Sequence, residues 1–273
     1  MISLERREGG PLRIGQRGAA ALAPENTLQS FRAAVEAGVD FVEFDVSDLH
    51  DGTFVVAHSN DLREVSHGVA AGTLRDRSLE SLREICPDLP TLDDALEFFV
   101  DEAAHVGLHL DLKTGGREAE IAAALRRYDL VERSFVSSVR IRSVRAFARI
   151  DPDLGVGITA PRSVLGITES GRGAPFARVG LSALRRIAPF AAPPALSLAR
   201  ATALVIHHSL VGEAVVRRAH ARGTAVVAWT VDDPQDLVRV DEAGVDAVVS
   251  NDPRIFAGGL KSFQRDDRPS RGG

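Results

Sequence analysis

Ala225-Val226-Val227-Ala228-Trp229-Thr230, a helical stretch from Pro234 to Glu242, and Asp246-Ala247-Val248-Val249-Ser250 decide the fold. The two outer runs are short, apolar and valine-rich, as strands buried on both faces are. Asp233 before Pro234 places an N-cap ahead of a proline at the first helical position. Gly244 follows the helix, where a left-handed residue is wanted. Strand, helix, strand at this spacing is a crossover unit, and its strands run parallel.

The same alternation extends upstream. Strands are predicted at Leu12–Gly15, Phe41–Val46, Gly107–Leu112, Phe135–Val139, Leu154–Thr159 and Ala203–Ile206. Helical periods fall at Thr27–Ala37, Thr91–Ala104, Arg117–Tyr128, Ile141–Ile150, Leu181–Ile187 and Val211–Ala221. Eight strands imply closure into an α/β (β/α)₈ TIM barrel, a fold of roughly 250 residues that the 273 here accommodate once. Asp51-Gly52 reads as a tight turn, which makes Thr53–Ala57 a small extra strand after strand two. Arg63 to Pro90 is then an insertion, and Arg162 to Ala195 is the least periodic stretch. A single barrel domain is expected over residues 1–260, with a disordered polar tail over 261–273.

Composition narrows the function. Hydrophobic residues make up 44%, charged residues 26%, and the net charge is −5, with no basic excess to suggest nucleic acid. The lone Cys86 excludes an intramolecular disulfide and a cysteine-only zinc site. Met1 to Gly10 has no apolar stretch, and Phe190 to Ile206 is interrupted by Pro193, Pro194 and Arg200. Neither a signal peptide nor a membrane span is expected, and a cytoplasmic location is the default.

Glu43 and Asp45 lie two apart on one strand, so they share a face while Phe44 takes the other. Two buried carboxylates repel, and a divalent cation is the simplest remedy. Asp111 and Lys113 share a face at the end of the next barrel strand, at the mouth where such barrels carry their sites. Asp111 either pairs with Lys113 at the surface or joins Glu43 and Asp45 in an all-oxygen site suited to Mg²⁺ or Ca²⁺. Arg17 in Gly15-Gln16-Arg17-Gly18 suits an anion clamp, because glycines let backbone approach a ligand. Asn26 reads as the cap of the following helix. His58, just past the extra strand, is expected at the same rim.

In order and spacing these pieces resemble the glycerophosphodiester phosphodiesterase family over most of the chain. The matching stretches are Gln16-Arg17-Gly18, Pro24-Glu25-Asn26-Thr27, Glu43-Phe44-Asp45-Val46, Asp51-Gly52, Val55-Val56-Ala57-His58, Leu89-Pro90-Thr91-Leu92, Asp111-Leu112-Lys113, Ala228-Trp229-Thr230-Val231 and Gly244 to Pro253. The resemblance implies that Glu43, Asp45 and Asp111 hold one divalent cation (Mg²⁺ or Ca²⁺, with Mn²⁺ also suitable). It implies that Arg17 and Lys113 hold the phosphate and that His58 is one of two acid/base histidines. Trp229 then lines the pocket near the alcohol portion, its alternative being ordinary core. Asp111 stands where a glutamate is more usual, one methylene shorter. His67, His105, His109, His207, His208 and His220 match no catalytic position.

The departure is Gln16, which occupies the place of the first catalytic histidine. A carboxamide does not titrate near neutral pH and cannot serve as an ordinary general acid or base. The implied activity is metal-dependent hydrolysis of glycerophosphodiesters, a small-molecule substrate, to glycerol phosphate and an alcohol. The alternatives are an impaired member that binds phosphodiesters or phosphate-bearing ligands, and an incidental or engineered His→Gln change in a normal enzyme. No interfacial helix is evident, so soluble diesters are favoured over membrane lipids and no stable membrane anchor is expected.

Overall fold

The computed structural model describes residues 3–160 and 174–257. Among these, β1 (Leu12–Gly15), β2 (Phe41–Asp48), β4 (Gly107–Leu112), β5 (Ser134–Ser138), β6 (Gly155–Ala160), β7 (Ala203–His207), β8 (Ala225–Trp229) and β9 (Ala247–Ser250) form a parallel sheet. It closes because β1 pairs with both β9 and β2, Ile14 facing Val249 on one side and Phe41 on the other. The fold is a (β/α)₈ TIM barrel, as the alternation predicts. The expected tail over 261–273 lies outside the described residues.

Strand alternation splits the core into two layers. Phe41, Phe135, Val205, Val227 and Val249 fill the lumen, whereas Phe44, Leu108, Val136 and Ile206 pack outward against helices. Phe31 of α1 (Leu28–Glu36) meets Phe44 with ring centroids 5.4 Å apart, so Phe44 takes the outer face that its parity assigns. Gly107 is required beneath the lumen site, since a Cβ there meets the Phe41 ring at 2.4 Å.

The outer ring continues with α4 (Leu92–Asp101), α5 (Glu118–Arg127), α6 (Ile141–Ile150), α7 (Ala174–Ala199), α8 (Glu213–His220) and α9 (Pro234–Glu242). The one substantial departure is α7, expected only over Leu181–Ile187 but continuing through Pro189, Pro193 and Pro194. A proline inside a helix removes a donor and reads as a breaker. Here Pro193 deprives the Pro189 carbonyl of its partner, and Arg218 of α8 supplies one at 3.3 Å. Leu184, Ala188, Ala192, Ala195, Leu196 and Ala199 form a stripe at helical spacing against the core, and that burial outweighs the local cost.

After β2, β3 (Phe54–Val56) pairs antiparallel with it, Val46 facing Val56, and α2 (Leu62–Val65) and α3 (Leu79–Ile85) follow. Leu49, Val55, Leu62, Leu74, Leu82 and Leu89 give this insertion its own small core, which seats it beside the barrel mouth.

Candidate active site

The register of β2 on β4 sets Glu43 opposite His109 and Asp45 opposite Asp111, one lumen layer above the other. Ligand oxygens of Glu43, Asp45 and Asp111 lie within 4.8 Å of one another, and all three residues are buried. Burial, then the charge of Asp45, pushes the Glu43 carboxyl up to about 8. Burial acts in the same sense on Asp45, but the Lys113 and Arg17 charges outweigh it and hold this carboxyl below its ordinary range. A buried oxygen-only triad in which one carboxyl is held up by its neighbours fits a divalent cation.

Two cations face the triad. The Lys113 ammonium bridges Asp45 Oδ1 at 2.6 Å and Asp111 Oδ2 at 2.5 Å, so its pairing with Asp111 lies inside the site. Arg17 donates its backbone N–H to Glu43 Oε2 at 2.8 Å, and its guanidinium spans Glu25 at 2.7 Å and Asp45 at 3.1 Å. The turn that delivers it needs glycine twice. A Cβ on Gly15 meets the Gly18 carbonyl oxygen at 2.2 Å, and Gly18 sits at φ +84° against Ser30.

The loop to α1 corrects one reading. Thr27, not Asn26, caps the helix by accepting from the Ser30 N–H. Asn26, at φ +58°, instead grips Asp45, donating from Nδ2 to Oδ2 at 2.8 Å and accepting the Asp45 N–H at 3.1 Å. Glu25 joins Arg17 to His58, accepting from His58 Nδ1 at 2.8 Å. Burial pushes Glu25 up, but the hydrogen bond from His58 and the charge of Arg17 prevail and bring it down to about 2.

A cavity of ≈ 110 Å³ gathers Gln16, Arg17, Glu43, Asp45, Asp111, Lys113 and Trp229 at the mouth. His58 does not line it. That side chain borders a neighbouring cavity of ≈ 300 Å³, shared with insertion residues such as Val65, His67 and Cys86. Gln16 Oε1 and Trp229 Nε1 are both buried without a hydrogen-bond partner among the described residues.

Residues 17–255 match the model of the glycerophosphoryl diester phosphodiesterase family. The chain belongs to this family. A glycerophosphodiester phosphodiesterase from Caldanaerobacter subterraneus is 26% identical over 89% of this chain and 95% of its own. Another from Arabidopsis thaliana is 27% identical over 93% of this chain and 74% of that protein. At the level of fold, an Oleispira antarctica phosphodiesterase in complex with the product sn-glycerol-3-phosphate superposes with TM-score 0.71 and 24% identity, covering 93% of this chain and 98% of that one. A glycerophosphodiester phosphodiesterase from Parabacteroides distasonis gives TM-score 0.72 and 20% identity, covering 95% and 100%.

Gln16 lies one residue before the matched region of this glycerophosphoryl diester phosphodiesterase family member. Below the carboxylates is a set of side chains that sequence reading leaves aside. Asp111 Oδ1 accepts from Ser137 Oγ at 2.6 Å and from Thr159 Oγ1 at 3.1 Å, and His109 Nε2 meets Ser137 Oγ at 2.9 Å. His109 is 2% exposed, stacked on Phe135 at 3.9 Å, and burial pushes its imidazole down to about 4. The available signal was parity, since residues 107, 109 and 111 share one face of β4.

Proposed function

We propose that this phosphoric diester hydrolase cleaves glycerophosphodiesters to glycerol phosphate and an alcohol, with Glu43, Asp45 and Asp111 holding one Mg²⁺ or Ca²⁺ (Mn²⁺ also suits the donor set). The observation that carries this reading is a charge mismatch. Among the described residues, Glu25, Glu43, Asp45 and Asp111 meet two permanent cations, Arg17 and Lys113, and Glu25 also meets His58, so with a neutral imidazole the fully ionised cluster is two negative charges in excess. A divalent cation held by Glu43, Asp45 and Asp111 would supply that compensation together with Lewis acidity toward the phosphate. The product complex of the Oleispira antarctica phosphodiesterase supports glycerol phosphate as the retained half.

The chain's own groups then have separable tasks. Lys113 and Arg17 neutralise and align the phosphate, and Trp229, which lines the cavity, flanks the alcohol portion. Glu25 orients His58 through Nδ1, leaving Nε2 to shuttle a proton, in competition with Glu64 at 3.3 Å. Gln16 binds a phosphate oxygen through its amide and moves no proton.

A second reading, a phosphodiester-binding protein of very low turnover, is favoured by Gln16 and by the place of His58 outside the main cavity. The discriminating experiment assays the unmodified chain beside Gln16→His on glycerophosphocholine with Mg²⁺, Ca²⁺ or Mn²⁺, chelator being the blank. Chelator-sensitive turnover is expected from the unmodified chain, rising by about 10²–10⁴-fold in Gln16→His. Turnover by the variant alone favours the binding reading, and silence from both removes this substrate class. If the histidine absent at position 16 protonates the leaving alcohol, a nitrophenyl ester is cleaved much faster than glycerophosphocholine by the unmodified chain; equal rates sink that assignment.

A further inference from the structure

His109, Ser137 and Asp111 form a buried line of hydrogen bonds beneath the triad, and its donors and acceptors can be assigned. The Ser137 hydroxyl has one proton, and the Asp111 carboxylate 2.6 Å away is its only strong acceptor. Ser137 Oγ is therefore the acceptor toward His109, so Nε2 carries the hydrogen of the 2.9 Å contact. That leaves Nδ1 as the bare nitrogen, in agreement with its burial without a partner among the described residues. Stacking on Phe135 at 3.9 Å and 18° holds the ring plane, so the direction of Nε2–H is fixed by packing rather than by a second hydrogen bond.

The consequence falls on Asp111. Thr159 Oγ1 has a single proton as well, shared between Asp111 Oδ1 at 3.1 Å and Ser137 Oγ at 3.2 Å. Oδ1 is thus committed to two hydroxyls of β5 and β6. Oδ2 takes neither hydroxyl and meets the Lys113 ammonium instead. Without the donation from His109, Ser137 Oγ keeps only its bond to Asp111 and the shared Thr159 proton, so the partner of Oδ1 is held less firmly.

We propose that His109 is a positioning residue which, through Ser137, pins Asp111 Oδ1 and presents Oδ2 alone to the cation, so that Asp111 is a one-oxygen ligand. This rests on the cation-binding reading of the triad. Partners that orient a ligand in this way typically govern metal affinity by about 10–100-fold. His109 also lines the site cavity, but its polar contact there is with Ser137, and the effect assigned to it is on cation affinity and geometry.

The test titrates Mg²⁺ or Mn²⁺ alone into metal-stripped protein by calorimetry, for the unmodified chain, His109→Phe, His109→Gln, Ser137→Ala and the His109→Phe/Ser137→Ala double variant. His109→Phe keeps the ring on Phe135 and removes the donor, and it is expected to weaken binding about 10-fold or more. His109→Gln, whose amide reaches as far as Nε2, is expected to stay within about 3-fold, a rescue that a purely packing role does not produce. The double variant is expected to match Ser137→Ala, because the two residues act as one unit. Unaltered affinity in folded His109→Phe, or losses that add in the double variant, overturns the proposal. If His109→Phe does not fold, Ser137→Ala and His109→Gln decide it, the first having to weaken binding and the second to retain it. No binding by the unmodified chain overturns the triad reading itself, and this inference with it.

Discussion

Asp45 is 1% exposed and is held by three residues through four contacts: Asn26 at its N–H and at Oδ2, Arg17 at Oδ2 and Lys113 at Oδ1. Asn26 is the neutral one, and it also occupies a left-handed backbone position that asparagine tolerates better than alanine. Asn26→Ala removes both hydrogen bonds and leaves a buried carboxylate short of a donor, at a cost of about 1–3 kcal/mol. The expected result is a lower urea midpoint with unchanged slope and weaker Mg²⁺ binding. Wild-type stability would show that Asp45 does not depend on this amide. Glu43 and Asp45 were legible in the sequence because period-two spacing states their common face directly. The grip of Asn26 was not, since it joins residues 19 apart through a loop whose path no local pattern specifies. Ser137 and Thr159 escaped for a different reason: hydroxyls on buried strands are too ordinary to signal a shared carboxylate.

The strands follow their hydrophobic runs to within two residues at each end, since burial on both faces leaves one contiguous apolar signal per strand. Helix α7 failed to announce its length because its prolines argue locally against the packed stripe that forms it. The insertion is the element with most bearing on function. It carries Glu64 and borders His58, while Glu43, Asp45 and Asp111 stand on barrel strands. Leu74, fully buried in the insertion's own core, is therefore a lever on one half of the site. Leu74→Ala is expected to cost about 2–5 kcal/mol and to loosen the segment that flanks His58. Divalent-cation affinity by calorimetry should stay within about 2-fold of the unmodified chain while kcat on glycerophosphocholine falls. A parallel loss of both would mean that the insertion and the barrel mouth behave as one rigid unit.

Closure of the barrel brings together the loop after β1, strand β2 and strand β4, so Asp111 shares one buried space with Glu43 and Asp45 from a strand far earlier in the sequence. The fold carries that electrostatic burden, and pH exposes it. Glu43 is pushed up to about 8 from an ordinary carboxyl range, so between roughly pH 4.5 and 8 the metal-free native state binds a proton that the unfolded chain has released. Native protons in excess make stability fall as pH rises through that window. A divalent cation on the triad requires the ionised carboxylate and removes the penalty, and it stabilises the native state by about 2.7 kcal/mol at a concentration of 100 Kd. The rise in Tm on adding saturating Mg²⁺ is therefore expected to be larger at pH 8 than at pH 6. Binding near pH 7 should also release a proton, detected as a dependence of calorimetric heat on the buffer's ionisation enthalpy. A Tm shift independent of pH, with no buffer dependence, would place the ionised triad in the metal-free protein and leave Lys113 and Arg17 as its sole compensation.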